Sequence, residues 1–188
     1  LAMSAGDQAR LHYYLSAPAD VVEVVTAEDL VADIRKITRS WEDRLRDSLA
    51  ETFEAGDAHR LADLYAPAFS EEYRAATSPE AAVRDVAELE RLRRSGRTVG
   101  ITLREPGAGE RITPEGTDTL LNPYLFGERL VLSDFMPTLD NAGLRVVEVT
   151  PYTVDPAGLP PAMIYSFTVQ QRDGAAIPIE RAERIARL

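Results

Sequence analysis

The apolar positions change period once along the chain, from a helical spacing to a strand-like alternation. Between residues 26 and 95 they recur every three or four positions, and the first such run is Leu30, Ile34, Ile37, Trp41, Leu45, Leu49 and Phe53. From Thr98 onward, short alternating runs are bounded by Pro and Gly, a pattern that favours strands. The sequence therefore predicts an α+β fold, in which a helical segment (residues 26–96) precedes a small sheet domain (residues 97–188).

Three amphipathic helices are predicted in the helical segment. The first begins at the capping pattern of Thr26 and ends near Gly56. Pro67 ends or kinks the second. The third begins at residues 78–80 (SPE), where Ser caps and Pro fits the first helical turn, and it ends at Gly96.

The second half of the chain predicts the order β-β-α-β-β-α. The four strands are predicted at residues 98–104, 119–126, 144–149 and 163–169. Ser133 is predicted to cap the helix between them, and a last helix follows Pro178. Pro123 has no N–H and restricts its strand to an edge or a bulge. A helix between strands of one small sheet covers a face of it, so ferredoxin-like packing with helices on one face is expected.

Residues 11–15 (LHYYL) predict a lone strand near the start of the chain. No neighbouring segment offers a partner, so this strand is expected to belong to a sheet that lies mostly upstream. The alternative is a disordered tail. The first residue, Leu1, favours a processed product or a piece of a longer protein.

Composition and charge exclude several functions. The chain has 188 residues, with 31 acidic and 21 basic side chains and a formal charge of −10, and its basic residues are interspersed with acids. Binding to nucleic acid or to an anionic membrane surface is therefore not expected. No apolar run approaches the roughly 18 residues of a membrane span, and no secretory leader is visible. The absence of Cys excludes disulfides and permits a reducing compartment such as the cytoplasm.

No metal or nucleotide motif is complete. His12 and His59 are the two histidines, and neither belongs to a metal-ligand spacing, so both are predicted to be structural or surface residues. Residues 107–109 (GAG) begin a dinucleotide fingerprint that lacks its third glycine.

Candidate carboxylate pairs exist but are weak. Glu71 with Glu72, or Glu128 with Asp134, could form an acid/base pair, although such doublets are usually solvated faces. A small hydrolase with carboxylate catalysis therefore has no supporting motif. We expect no catalytic, cofactor-binding or metal-ligating residue in the chain.

Four ordered segments resemble one protein family. Residues 38–49 (TRSWEDRLRDSL) resemble the "TRxWEDxLRDxL" segment in the non-catalytic N-terminal part of the large bacterial NAD-specific glutamate dehydrogenases. Residues 65–73 resemble its "YxxAFPxxY", residues 132–147 its "LSDVLPxLENLGLRVV", and residues 151–152 and 164–167 its "RPY" and "IYDF". The sequence departs from these motifs at Ser70, which replaces a proline, and at Ser166, which replaces an acid.

The resemblance implies a non-catalytic regulatory or oligomerisation segment built around ACT-like domains. Residues 1–25 would then be the terminal strand of a preceding, mostly absent ACT-like domain, and residues 97–188 an ACT-like domain truncated in its last helix. The parent enzyme would use NAD to deaminate L-glutamate oxidatively to 2-oxoglutarate and ammonia, whereas this fragment would be inactive and hold no cofactor. The implied partners are the rest of the parent chain, other subunits of a homo-oligomer and an amino-acid effector.

The resemblance also implies where an effector would bind. ACT-like domains bind amino acids at a strand-to-helix loop, which here is residues 127–134. Unpaired amides at a helix start attract a carboxylate, and Gly127, Arg129 and Ser133 are the candidate residues. The opposing interpretation is that Ser133 only caps the helix, Gly127 only makes a turn, and Asp134 repels an anion. A free-standing ACT-like amino-acid sensor is the alternative function.

Overall fold

The computed structural model describes residues 39–106, 119–174 and 177 in full, and the backbone of residues 3–4 and 9–10. The chain divides into two units, residues 1–39 and 40–188. In the first unit, β1 (Met3–Ser4) pairs antiparallel with β2 (Ala9–Arg10). The strand predicted at residues 11–15, the helix start at Thr26 and the helix after Pro178 lie outside the described residues.

The described part of the helical segment contains α1 (Trp41–Thr52), α2 (Ala55–Tyr65), α3 (Glu71–Ala76) and α4 (Pro79–Ser95). A 3₁₀ turn, Ala66–Ala68, follows α2 and contains Pro67, which confirms the predicted end of this helix. The predicted start of α4 is confirmed, because Ser78 accepts a hydrogen bond from the Ala81 N–H. Its end is confirmed too, since Gly96 has a left-handed φ of 68°.

The continuous first helix predicted from Thr26 to near Gly56 is wrong. Ser40 is extended and accepts a hydrogen bond from the Asp43 N–H, so a new helix begins at Trp41. Phe53 ends α1, and Gly56 lies within the first turn of α2. Apolar spacing misses the break between α1 and α2 because both helices bury residues in the same core, Leu45 and Leu49 from α1 and Leu61 from α2.

The helical core is formed by large side chains with no exposed surface, chiefly Leu45, Leu49, Leu61, Tyr65, Leu89 and Leu92. Trp41 joins this core at the start of α1. Its Nε1 donates to the Thr77 carbonyl at 2.9 Å, and its ring meets Phe69 and Tyr73 edge-on. α1 is thereby tied to the segment that precedes α4.

The second half forms a four-stranded antiparallel sheet. Its strands are β3 (Val99–Arg104), β4 (Thr119–Phe126), β5 (Leu144–Val154) and β6 (Ala162–Gln171), in the order β3-β4-β6-β5. Helix α5 (Leu132–Asn141) lies between β4 and β5 in sequence. The predicted α+β class and strand positions are confirmed, although β5 continues five residues beyond Val149.

Pro123 is predicted at an edge or a bulge, and the edge position is wrong. β4 lies between β3 and β6, and pairing with β6 stops at Leu121–Phe167 and resumes in the same register at Tyr124–Ile164. Asn122 and Pro123 therefore lie at a gap in the pairing of β4 with β6, where the missing N–H of proline interrupts no pair between these two strands. The edges of this sheet are β3 and β5.

The two faces of the sheet have different coverings. On one face, α5 contributes Phe135 and Leu139 to a core with strand residues such as Leu121, Phe167 and Val169. On the other, Tyr124, Phe126 and Ile164 belong to the core of the helical segment. Gly100 permits close packing there, since a Cβ at this position would lie 2.7 Å from Glu88 Oε1 and 2.9 Å from Leu92 Cδ2.

Asp85 connects the helical segment to the sheet. This carboxylate of α4 is 3% exposed and accepts hydrogen bonds from the hydroxyls of Tyr73 on α3 and Tyr124 on β4, the latter at 2.7 Å. Burial, followed by the charge of Asp85, raises the pKa of both tyrosines well above 10. Both hydroxyls therefore keep the protons that they donate to the carboxylate.

Glu90 is the centre of an ion-pair network between α2 and α4. Its carboxylate lies 2.8 Å from the Arg60 guanidinium and 2.7 Å from those of Arg93 and Arg94. Arg94 also pairs with Asp57 at 3.1 Å. The hydrogen bond from Arg93, aided by those from Arg94 and Arg60 and opposed by burial, lowers the pKa of Glu90 to about 2.

We expect Tyr124→Phe to lower the free energy of unfolding by about 1–3 kcal/mol, because a buried carboxylate loses a donor. Urea unfolding at neutral pH measures this. Tyr65→Phe is the matched control: this hydroxyl is also buried but has no hydrogen-bond partner among the described residues, so its removal should cost nothing. Equal losses in the two variants would contradict the role of Asp85.

Glu90→Gln is expected to lower stability at pH 7 by up to about 3 kcal/mol, which corresponds to the fall in pKa from 4.5 to about 2. The folded pKa is the lower one, so the contribution is complete above about pH 4.5 and is lost as the pH falls to about 2. The gap between wild type and variant should therefore close over this window in urea unfolding measurements. Glu51→Gln, an exposed change on α1, should show no such gap at any pH.

Candidate functional site

A pocket of about 290 Å³, lined by both polar and apolar side chains, lies on the sheet face opposite α5. Its floor is formed by strand residues, of which the polar ones are Arg104, Asn122, Glu148, Thr150, Ser166 and Thr168. Its wall is formed by helical residues that include Glu72, Tyr73 and Asp85. We call this the sheet-face pocket. The core of the helical segment covers only part of this face, and the pocket occupies the remainder.

A β-bulge places Glu148 in the pocket. The pairing of β5 with β6 shifts by one residue between Val146 and Glu148, so that Val147 is inserted. Before the bulge, Leu144 and Val146 face the α5 side; after it, Glu148 is on the opposite face. In a regular strand, Glu148 would share the face of Val146, because side chains alternate with period two.

Asn122 is the least solvated polar group of the floor. It is 3% exposed, and its Oδ1 has no hydrogen-bond partner among the residues that the structure describes. It stands at the gap that Pro123 makes in the ladder with β6, close to Ser166. A buried amide oxygen without a donor costs about 1–3 kcal/mol. The position therefore carries a stability cost that packing does not explain.

Most of the charged side chains that line the pocket are acidic. Among the described residues, the lining contains three carboxylates, those of Glu72, Asp85 and Glu148, and one guanidinium, that of Arg104. Burial and then the charge of Glu148 raise the pKa of Tyr152, which lines the same pocket. The arrangement offers acceptors and negative charge to a ligand. Ser166, which departs from the resembling motif by replacing an acid, lies within it.

The predicted effector loop lies on the other face of the sheet, beside α5. Gly127 makes a turn with φ of 72°, and its N–H donates to the Pro161 carbonyl at 2.8 Å. The predicted cap at Ser133 is wrong, since Val131 is the N-cap and Ser133 instead donates to Asp134 Oδ1 at 3.2 Å. The helix begins at Leu132, before Ser133, and the Phe135 N–H that a cap at Ser133 would bind already donates to the Val131 carbonyl.

The three candidate effector residues do not form one pocket. Ser133 borders a shallow groove with Met136 and Asp140, whereas Gly127 and Arg129 are exposed outside its lining. The sequence had no signal for the sheet-face pocket, because the bulge and the ladder gap arise only when the strands pair. An effector role for Gly127, Arg129 and Ser133 stays a prediction.

The other chemical candidates separate in space. Glu71 and Glu72 are both exposed, and of the two only Glu72 lines the sheet-face pocket. His59 is an exposed residue of α2 whose Nε2 lies 3.2 Å from Asp63. Within residues 39–106 and 119–174, no group of three or more His, Asp or Glu side chains is placed to hold a metal ion. None of the described helices has the length and apolar character of a membrane span.

Two models of one family match this chain. Helical motif 2 of glutamate dehydrogenase matches residues 48–92, which run from α1 into α4. The ACT3 domain of glutamate dehydrogenase matches residues 104–182, which include β4, α5, β5 and β6. The sheet-face pocket takes Glu72 and Asp85 from the first match and Asn122 and Glu148 from the second.

Curated relatives agree with these matches. The chain is 29% identical over 172 residues to the NAD-specific glutamate dehydrogenase of Mycobacterium tuberculosis (strain ATCC 25618 / H37Rv), covering 90% of this chain and 10% of the relative. It is 31% identical over 119 residues to the NAD-specific glutamate dehydrogenase of Halomonas elongata, covering 63% of this chain and 7% of the relative. The chain thus spans a tenth or less of these relatives. It belongs to the large NAD-specific glutamate dehydrogenase family, as a segment that carries helical motif 2 and the ACT3 domain.

Proposed function

We propose that this chain is a non-catalytic regulatory and oligomerisation segment of a large NAD-dependent glutamate dehydrogenase. The parent reaction is the oxidative deamination of L-glutamate to 2-oxoglutarate and ammonia, with NAD as the cofactor of the parent. The observation that carries the proposal is the sheet-face pocket, because its lining comes from both matched segments, helical motif 2 and the ACT3 domain.

A ligand in this pocket would couple the two segments. Asp85 and Tyr73 belong to the helical motif, and Tyr124 belongs to the ACT3 domain. A ligand that contacts both changes the free energy of their packing, and a difference in that free energy between two states of the enzyme is what allostery requires. Binding of a ligand in the pocket would in this way affect the rest of the parent chain and the neighbouring subunits.

Catalysis is assigned to other parts of the parent. The single described histidine, His59, is exposed on α2. The relatives are about ten times longer than the matched region, which leaves ample chain for a catalytic core. The proposed partners are the rest of the parent chain, the other subunits of a homo-oligomer and an amino-acid effector, in the cytoplasm.

The isolated chain is expected neither to bind NAD saturably at micromolar concentration nor to reduce NAD in the presence of glutamate. Isothermal titration with NAD and absorbance at the NADH band measure both properties. Micromolar NAD binding would contradict the assignment to a non-catalytic segment. A folded sample is verified in the same experiment by its cooperative thermal transition.

The regulatory role is tested in the full-length enzyme. Asn122→Leu is expected to shift, by at least threefold, the amino-acid concentration that gives half of the effect on glutamate-dependent NAD reduction, measured across a panel of amino acids. Glu51→Gln, exposed on α1 and far from the pocket lining, should leave the response curve unchanged. Identical curves for both variants and the wild type would refute regulation through this pocket.

A further inference from the structure

We infer that the sheet-face pocket binds a small organic cation with N–H donors, such as an alkylammonium, and this inference rests on the proposed regulatory function. The first observation is the amide oxygen of Asn122. It is buried, it lines the pocket, and it has no hydrogen-bond partner within the described part of the chain. A ligand N–H would satisfy this acceptor, whereas a carboxylate or phosphate oxygen would add a second acceptor beside it.

The charge of the lining favours the same ligand class. Glu72, Asp85 and Glu148 outnumber Arg104, so the part of the lining that the structure describes has a formal charge of −2. Asp85 already accepts from two tyrosine hydroxyls, and Glu148 lies on the floor next to Thr150. A cation gains Coulomb energy in this field, and an anion loses it.

The backbone is irregular at the two residues that supply these acceptors. The β-bulge brings Glu148 to the pocket face, and the ladder gap at Pro123 places Asn122 where β4 does not pair with β6. Bulges occur next to binding sites because they redirect single side chains. Both irregularities place a hydrogen-bond acceptor in the sheet-face pocket, Glu148 at the bulge and Asn122 at the gap. The packing of the sheet explains neither of them.

The size of the pocket limits the ligand. The pocket has a volume of about 290 Å³. Ligand pockets in proteins usually have volumes of about 300 Å³ or more, so only a small ligand fits in this one. A dinucleotide or a peptide does not fit in this space. A ligand with a short aliphatic chain and a primary ammonium group does, and its methylenes would contact Leu120 and Ile164.

The inference is tested by isothermal titration of the 188-residue chain with four probes. Putrescine and L-lysine carry a cationic alkylammonium, L-norleucine has the length of lysine without that charge, and glutarate is a dianion. We expect putrescine and L-lysine to bind with submillimolar Kd, L-norleucine at least tenfold more weakly, and glutarate not at all. Equal binding of norleucine and lysine, preferential binding of glutarate, or no binding of any probe would overturn the inference.

Variants locate the binding. Asn122→Leu should weaken putrescine binding at least tenfold, and a cooperative thermal transition verifies that this variant is folded. Glu148→Gln, at an exposed residue, should weaken it at least threefold. Ser133→Ala, on the α5 side of the sheet, should have no effect. Unchanged affinity in both pocket variants would overturn the site.

The experiments distinguish failure of the inferred ligand class from failure of the proposed regulatory function. If no cation binds but Asn122→Leu still shifts the effector response of the full-length enzyme, the ligand class is wrong and the regulatory function stands. If putrescine binds with the expected dependence on Asn122 and that response is unaffected, the pocket binds cations without regulating the enzyme.

Discussion

The packing of the helical segment on the sheet depends on one buried carboxylate. Asp85 has almost no exposed surface, and two tyrosine hydroxyls, one from α3 and one from β4, donate to it. An uncompensated charge in such a place would destabilise the fold by several kcal/mol, so the three side chains must be brought together when the layers pack. Because Asp85 also lines the sheet-face pocket, the group that joins the layers is the one that a ligand would meet.

Two irregularities of the sheet define the recess beside this carboxylate. A regular β5 would turn Glu148 towards α5, and a strand with an unbroken ladder would have no place for Pro123 in the middle of the sheet. The bulge and the gap act on opposite sides of β6 and open onto the same face. The polar part of this face is therefore a product of local departures from ideal pairing and of incomplete coverage by the helices.

The family assignment relates the sheet-face pocket to two defined parts of glutamate dehydrogenase. Helical motif 2 and the ACT3 domain of glutamate dehydrogenase meet at the pocket, so packing between the two matched segments and occupancy of the pocket are linked. The Glu90 network is a separate feature: it joins α2 to α4 within the helical segment and holds charge near the surface. The proposed regulation concerns the first feature, whereas the second contributes to stability that is lost as the pH falls to about 2.

The sequence by itself determined the α+β class and the strand positions, because alternating runs, the Ser78 cap and the Gly96 stop are local signals. It also determined the family, because the resembling motifs are short runs of neighbouring residues that can be compared without a structure. It missed the break at Ser40, the interior position of β4 and the true cap of α5, since each depends on how neighbouring segments pack. Only the tertiary structure decided the pocket. Asn122, Asp85 and Glu148 are distant in sequence, and strand order, a one-residue bulge and helix packing bring them to one face.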